Sequence, residues 1–162
     1  MILPCRLGNV CYHVGMKLQD FFPYQLAQLA EAVSRSVAEV YADRFGLSRD
    51  EWRILAALAD EGQMQASDLV PHTSLDKMQV SRALARMEQD GLVLRQPSPD
   101  DARARIVKPT AQGRKLYRKI VPVVEEREAH LLQALSCSER EALMRAMEKI
   151  RKRALRVMDD AD

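Results

Sequence analysis

The stretch "SLDKMQVSRALARMEQDGLVLRQPSPDDARARIVKP", residues 74–109, constrains the fold more than any other. A helical period stops at Gly91, and two short strand-like runs follow around a polar loop. Ser74 is placed to cap the helix, which is expected to run to about Asp90. On a wheel of 100° steps, Val80, Ala83, Leu84 and Met87 fall on one side and predict a buried stripe. Met78, Ser81, Arg82, Ala85 and Gln89 fall on the other. An uncharged Met78 and a small Ala85 are odd on a merely solvated face and suit a helix that docks closely against another surface. "GLVLRQ" then reads as a strand, "PSPDDARA" as a loop and "RIVKP" as the returning strand. The pattern predicts a two-stranded hairpin with a tip too long for a tight turn.

The flanking segments read as helices. Pro23 suits a first turn, and Leu26, Leu29, Val33, Val37, Val40 and Tyr41 recur at helical spacing before Gly46. Ser48 with Glu51 makes a capping box for a second helix, which carries Trp52, Leu55 and Leu58 and stops at Gly62. A short helix is expected over about 66–70, ending before Pro71. Thr110 caps a long helix carrying Leu116, Ile120, Val123 and Val124, with a kink expected at Pro122. Ser136 with Glu139 opens a last helix carrying Leu143, Met147 and Ile150. Residues 1–20 show no clear period and read as an N-terminal extension. The expected fold is mainly α with a small β-hairpin wing. A winged helix-turn-helix lobe spans 47–109. Long helices over 21–46 and 110–158 form a dimerisation region, because their apolar stripes need a partner to cover them.

Charge points to a partner through its placement. The chain has 25 Lys and Arg against 23 Asp and Glu, a net charge of only +2. Between positions 95 and 119, however, eight basic residues face two acids. Such a local excess is the electrostatic footprint of a nucleic-acid contact. No apolar run approaches a membrane span and no secretory pattern opens the chain, so a cytoplasmic, non-membrane protein is expected. Cys5, Cys11 and Cys137 are too scattered for a disulfide framework. Cys5, Cys11 and His13 fit no zinc spacing, so no metal is expected. With no phosphate-binding glycine loop, nucleophile elbow or paired histidines, neither catalysis nor a cofactor is expected.

In a helix-turn-helix the second helix enters the DNA major groove, and its first residues meet base edges. Lys77, Gln79, Ser81 and Arg82 have suitable donors and acceptors, and Met78 can touch a thymine methyl. Arg86, one turn on, is better placed for phosphate. In the wing, Arg103 suits a narrow minor groove, with Asp101 to orient its guanidinium. Arg95, Arg105 and Lys108 flank the tip and can reach phosphates. Each residue alone reads as ordinary solvated surface; the wing directly behind the helix tips the balance toward double-stranded DNA.

"LSRDEWRIL", "LDKMQVSRALARMEQDGLVLR", "SPDDARARIVKPTAQGRKL" and "LSCSEREAL" together resemble the MarR family of bacterial transcription regulators, over about residues 22–155. The resemblance implies a homodimer with interlocked terminal helices. It implies two winged lobes reading a pseudo-palindromic operator, usually as a repressor, and release of DNA by a small, often aromatic effector. Tyr24, Gln25, Trp52 and His72 are the candidate pocket residues. Gln25 stands where members often carry a basic residue that pairs with a ligand carboxylate, and Pro109 stands where leucine is usual. One branch of the family senses hydroperoxides through an N-terminal cysteine, which makes oxidation of Cys11 an alternative switch, although its spacing to the second helix looks too long. A third reading is a winged module that docks another protein and binds no DNA.

Overall fold

The structure is a computed structural model that describes residues 17–99 and 104–160. The expectations for Cys5, Cys11, His13, Asp101 and Arg103 fall outside these residues.

After a 3-10 turn at Leu18–Asp20, helix α1 runs over Phe22–Phe45, with Pro23 in its first turn, where a missing N–H leaves nothing unpaired. It stops at Gly46, whose φ of 68° is left-handed. Helix α2 spans Arg49–Glu61 behind the expected Ser48–Glu51 capping box. Strand β1 is the pair Met64–Gln65, and α3 is Leu69–Thr73. Helix α4 covers Lys77–Gln89, β2 Val93–Pro97 and β3 Arg105–Pro109. Helix α5 runs over Ala111–Leu132 behind Thr110, and α6 over Cys137–Asp159 behind the Ser136–Glu139 box. The mainly helical winged helix-turn-helix is therefore the observed fold.

Two local expectations need correction. The short helix lies three residues later than predicted and contains Pro71. Proline is tolerated there because first-turn N–H groups have no helical partner anyway. The sheet has three strands in the order β1-β3-β2, since Met64 and Gln65 pair with Val107 and Ile106. Two residues between a glycine and a polar run carry too little pattern to read as a strand. Pro109 thus sits in the central strand, but at its end, opposite Val93 and beyond Met64, the first residue of β1, where no ladder bond is lost. Pro122 lies inside α5, which is one continuous helical segment over Ala111–Leu132.

The core lies within the winged lobe and the halves of α1 and α5 that pack on it. Ile54, Leu55, Leu58, Leu69, Leu84, Met87, Val93, Val107 and Ile120 are 0–2% exposed and meet Tyr41 of α1. Each such side chain contributes roughly 1.5–3 kcal/mol on burial. Elsewhere the apolar residues find no cover within one chain. α6 has no buried residue, and Leu143, Met147 and Ile150 stand exposed, as do Phe22, Leu26, Leu29 and Val33 of α1. No helix among the described residues is long and apolar enough to cross a membrane.

Candidate nucleic-acid interface

Helix α4 divides into the two predicted faces. Val80, Ala83, Leu84 and Met87 are buried against α2 and the sheet, while Lys77, Met78, Ser81, Arg82, Ala85 and Gln89 are exposed. Met78 is 65% exposed, a large apolar side chain turned to solvent at the start of the helix. Among the described residues neither Lys77 nor Arg82 forms an ion pair, so both cations are available to a partner.

The cap of α4 is Asp76 and not Ser74. Asp76 Oδ1 accepts the Gln79 N–H at 2.7 Å, and Gln79 Oε1 accepts the Asp76 N–H at 2.9 Å. Ser74 instead closes α3 with a left-handed φ of 55°, making the turn that lets Leu75 tuck into the core. The signal was present in "DKMQ": an acid three residues before a glutamine makes a box, whereas Lys77 after Ser74 cannot. The correction reaches Gln79, which is half-buried with its Oε1 committed. A bidentate contact to adenine would require that box to open. Asp76→Ala is expected to cost about 1 kcal/mol of stability. A thermal melt that leaves Tm unchanged would show the cap to be unimportant.

Two predicted phosphate ligands hold partners within the chain. Arg86 Nε lies 3.3 Å from Glu51 Oε1 and 4.0 Å from Asp90 Oδ2. Arg95 on β2 grips the Glu88 carboxylate of α4 through Nε at 2.8 Å and through Nη2. That hydrogen bond holds the Glu88 carboxyl below its usual pKa. Arg95 is thereby a brace between helix and wing. Arg105 and Lys108 on β3 remain exposed. Sequence reasoning missed the wing's lower anchor. Thr110 Oγ1 donates to the Gly91 carbonyl at 2.7 Å, Thr110 N–H to that of Leu92 at 2.9 Å, and Arg114 Nη1 to that of Pro109 at 2.6 Å.

The four predicted pocket residues have separate partners. Tyr24 Oη accepts from Gln28 Nε2 at 2.9 Å, and Gln25 Nε2 donates to the Gln19 carbonyl at 2.9 Å. His72 Nε2 lies 3.8 Å from Glu61. Trp52 stacks on Tyr117 with ring centres 5.7 Å apart, and meets Tyr41 at 5.5 Å. Burial raises the pKa of both phenols. A cleft of about 630 Å³ between α1 and α5 is lined by Val40, Arg44, Val123, Arg127, His130 and Gln133 among others, and by none of the four. No group of three or more His, Cys, Asp or Glu among the described residues could hold a metal ion.

Known proteins share this arrangement. A model of the MarR family matches residues 47–104, the span from α2 to the wing. The homoprotocatechuate degradative operon repressor of Escherichia coli is 31% identical over 109 residues, 67% of this chain and 73% of that protein. The chain belongs to the MarR family. It is a MarR-family transcriptional regulator. Among solved structures, a mutant of MarR from E. coli complexed with operator DNA superposes with a TM-score of 0.75 at 19% identity, over 84% of this chain and 99% of that one. NadR in complex with 4-hydroxyphenylacetate superposes at 0.70 and 25% identity, over 85% and 97%.

Proposed function

We propose that this MarR-family chain is a homodimeric repressor that reads a pseudo-palindromic operator and is released from it by a small aromatic effector. The observation that carries the reading is the division of α4. One face is locked into the core by Val80, Ala83, Leu84 and Met87, so Lys77, Met78, Ser81 and Arg82 project from a rigid support. Rigid presentation lowers the ordering cost of reading base edges. Residues 47–109 act as the DNA-binding lobe, with the wing flanking the groove through Arg103 and Asp101, and Arg105 and Lys108 near phosphates. Segments 21–46 and 110–158 act as the dimerisation region. The exposed apolar stripe of α6 supports this, because a second copy would cover it. The effector reading rests on the aromatic stack of Trp52, Tyr41 and Tyr117 where α1, α2 and α5 meet. It is also supported by NadR, a relative solved with a phenolic acid. An effector acts only through its different affinity for the two lobe spacings.

The test is selection of genomic fragments by the purified protein at two salt concentrations. A recovered pseudo-palindrome with steep salt dependence is expected, and weak binding with no enriched sequence would favour a protein-docking module. On the recovered site, Arg82→Ala is expected to cost on the order of 1–3 kcal/mol and to relax one base position in each half-site. Equal loss on all sequences would remove Arg82 from base reading.

A further inference from the structure

Glu51 is only 3% exposed, yet its carboxylate meets an arginine of α4 whose side chain is largely exposed. Its two oxygens have separate tasks. Oε2 accepts the Ser48 N–H at 2.6 Å and caps α2. Oε1 lies 3.3 Å from Arg86 Nε. The Arg86 side chain is 63% exposed, on α4 one turn beyond Arg82. Its contacts to Glu51 and Asp90 use the inner nitrogen, Nε, and among the described residues no hydrogen bond engages its two terminal nitrogens. A free arginine loses rotamer freedom when it meets a phosphate; one already held at Nε has lost part of it beforehand. A buried carboxylate, in turn, is costly to leave without a cationic partner, which favours the pair in the folded lobe.

From this geometry we infer that Glu51 is a positioning residue for DNA binding, which presents the outer edge of Arg86 to a backbone phosphate. The inference rests on the regulator reading and adds to it a residue that does not itself touch DNA. The opposite role is also chemically open to such a pair, in which the carboxylate would withhold Arg86 from DNA, and the two roles differ in sign.

The experiment uses the full chain and a mixed-sequence DNA duplex long enough for two lobes, with affinity measured over a range of salt. Glu51→Gln preserves the capping box, because glutamine also accepts the Ser48 N–H. It also removes a negative charge, so Coulomb attraction alone predicts tighter binding. Positioning predicts binding weaker by roughly five- to tenfold, and no additional loss when the change is made in an Arg86→Ala background. Arg86→Lys keeps the charge but lacks the planar fork, and should lose about as much as Arg86→Ala. Tighter or unchanged binding by Glu51→Gln, or losses that add, overturn the inference. Should Glu51→Gln fail to fold, the lysine variant decides: wild-type affinity overturns the inference, and the alanine-like loss supports it. A wild-type chain with no salt-dependent binding to this duplex overturns the regulator reading and the inference with it, whereas wild-type binding with unaffected variants overturns the inference alone.

Discussion

Gly113→Ala is expected to lower the melting temperature more than a methyl added at any other glycine among the described residues. A Cβ at Gly113 would sit 2.2 Å from the Leu92 carbonyl oxygen and 3.2 Å from its carbon. Neither neighbour can swing aside as a side-chain end would. The Leu92 carbonyl is fixed by the Thr110 N–H at 2.9 Å, and Gly113 N–H is itself bound to Thr110 Oγ1 at 3.0 Å. The first turn of α5 must therefore move away from the start of β2, breaking the anchor that joins wing to long helix. A cost on the order of 3 kcal/mol or more follows from overpacking at a rigid site. Gly62→Ala is the comparison: φ is +74° there but nothing lies within 4 Å, so about 1 kcal/mol of backbone strain is expected. Thermal melts of both variants measure the difference. If Gly113→Ala melts at or above Gly62→Ala, the close approach does not constrain the fold.

The second large effect concerns α6. Met147 and Ile150 are 51% and 45% exposed on a helix with no buried residue. Replacing both with aspartate leaves the contacts within one chain nearly unchanged. In a dimer that seals this stripe, it would place two carboxylates against apolar surface. A penalty on the order of 4 kcal/mol, or roughly a thousandfold in the dimer dissociation constant, is expected from such burial. If the proposed dimer uses this stripe, sedimentation velocity should show the parent chain as a dimer and the variant as a monomer at the same concentration. Operator binding should fall with it, because each half-site then binds alone. A variant that sediments with the parent would show that this stripe is not the dimer contact.

Much of the fold was legible in the sequence where the governing interaction is local. The two faces of α4 follow from helical period alone, and every residue named on its buried stripe is buried. Ser48, Thr110 and Ser136 cap their helices as expected, since a cap is settled within four residues. At α4 two local signals competed, and the box of Asp76 with Gln79 prevailed over Ser74, whose left-handed backbone the helix-turn-helix bend required. Strand β1 was invisible, because two residues become a strand only when β3 arrives beside them.

The candidate interface was legible in part. The exposure of Met78, Ser81 and Arg82 could be read from the wheel, but the state of the other cations could not. Arg86 and Arg95 look alike in sequence, each a lone basic residue near DNA-facing chemistry. In space one meets a buried carboxylate from α2 and the other an acid from α4. Similarly, Gly113 looked like part of a helix start and proved to be the point where two backbones nearly touch.

Periodicity, caps and the cluster of basic charge over 95–119 thus determined, from the sequence alone, the helices, the wing and the face turned outward. Each depends on neighbours a few residues away, which a linear string preserves. Tertiary structure alone decided which cations remain free, where a third strand forms and how closely α5 may approach the wing. Those outcomes depend on groups distant in the chain meeting within a few ångströms, and a linear string does not carry that distance.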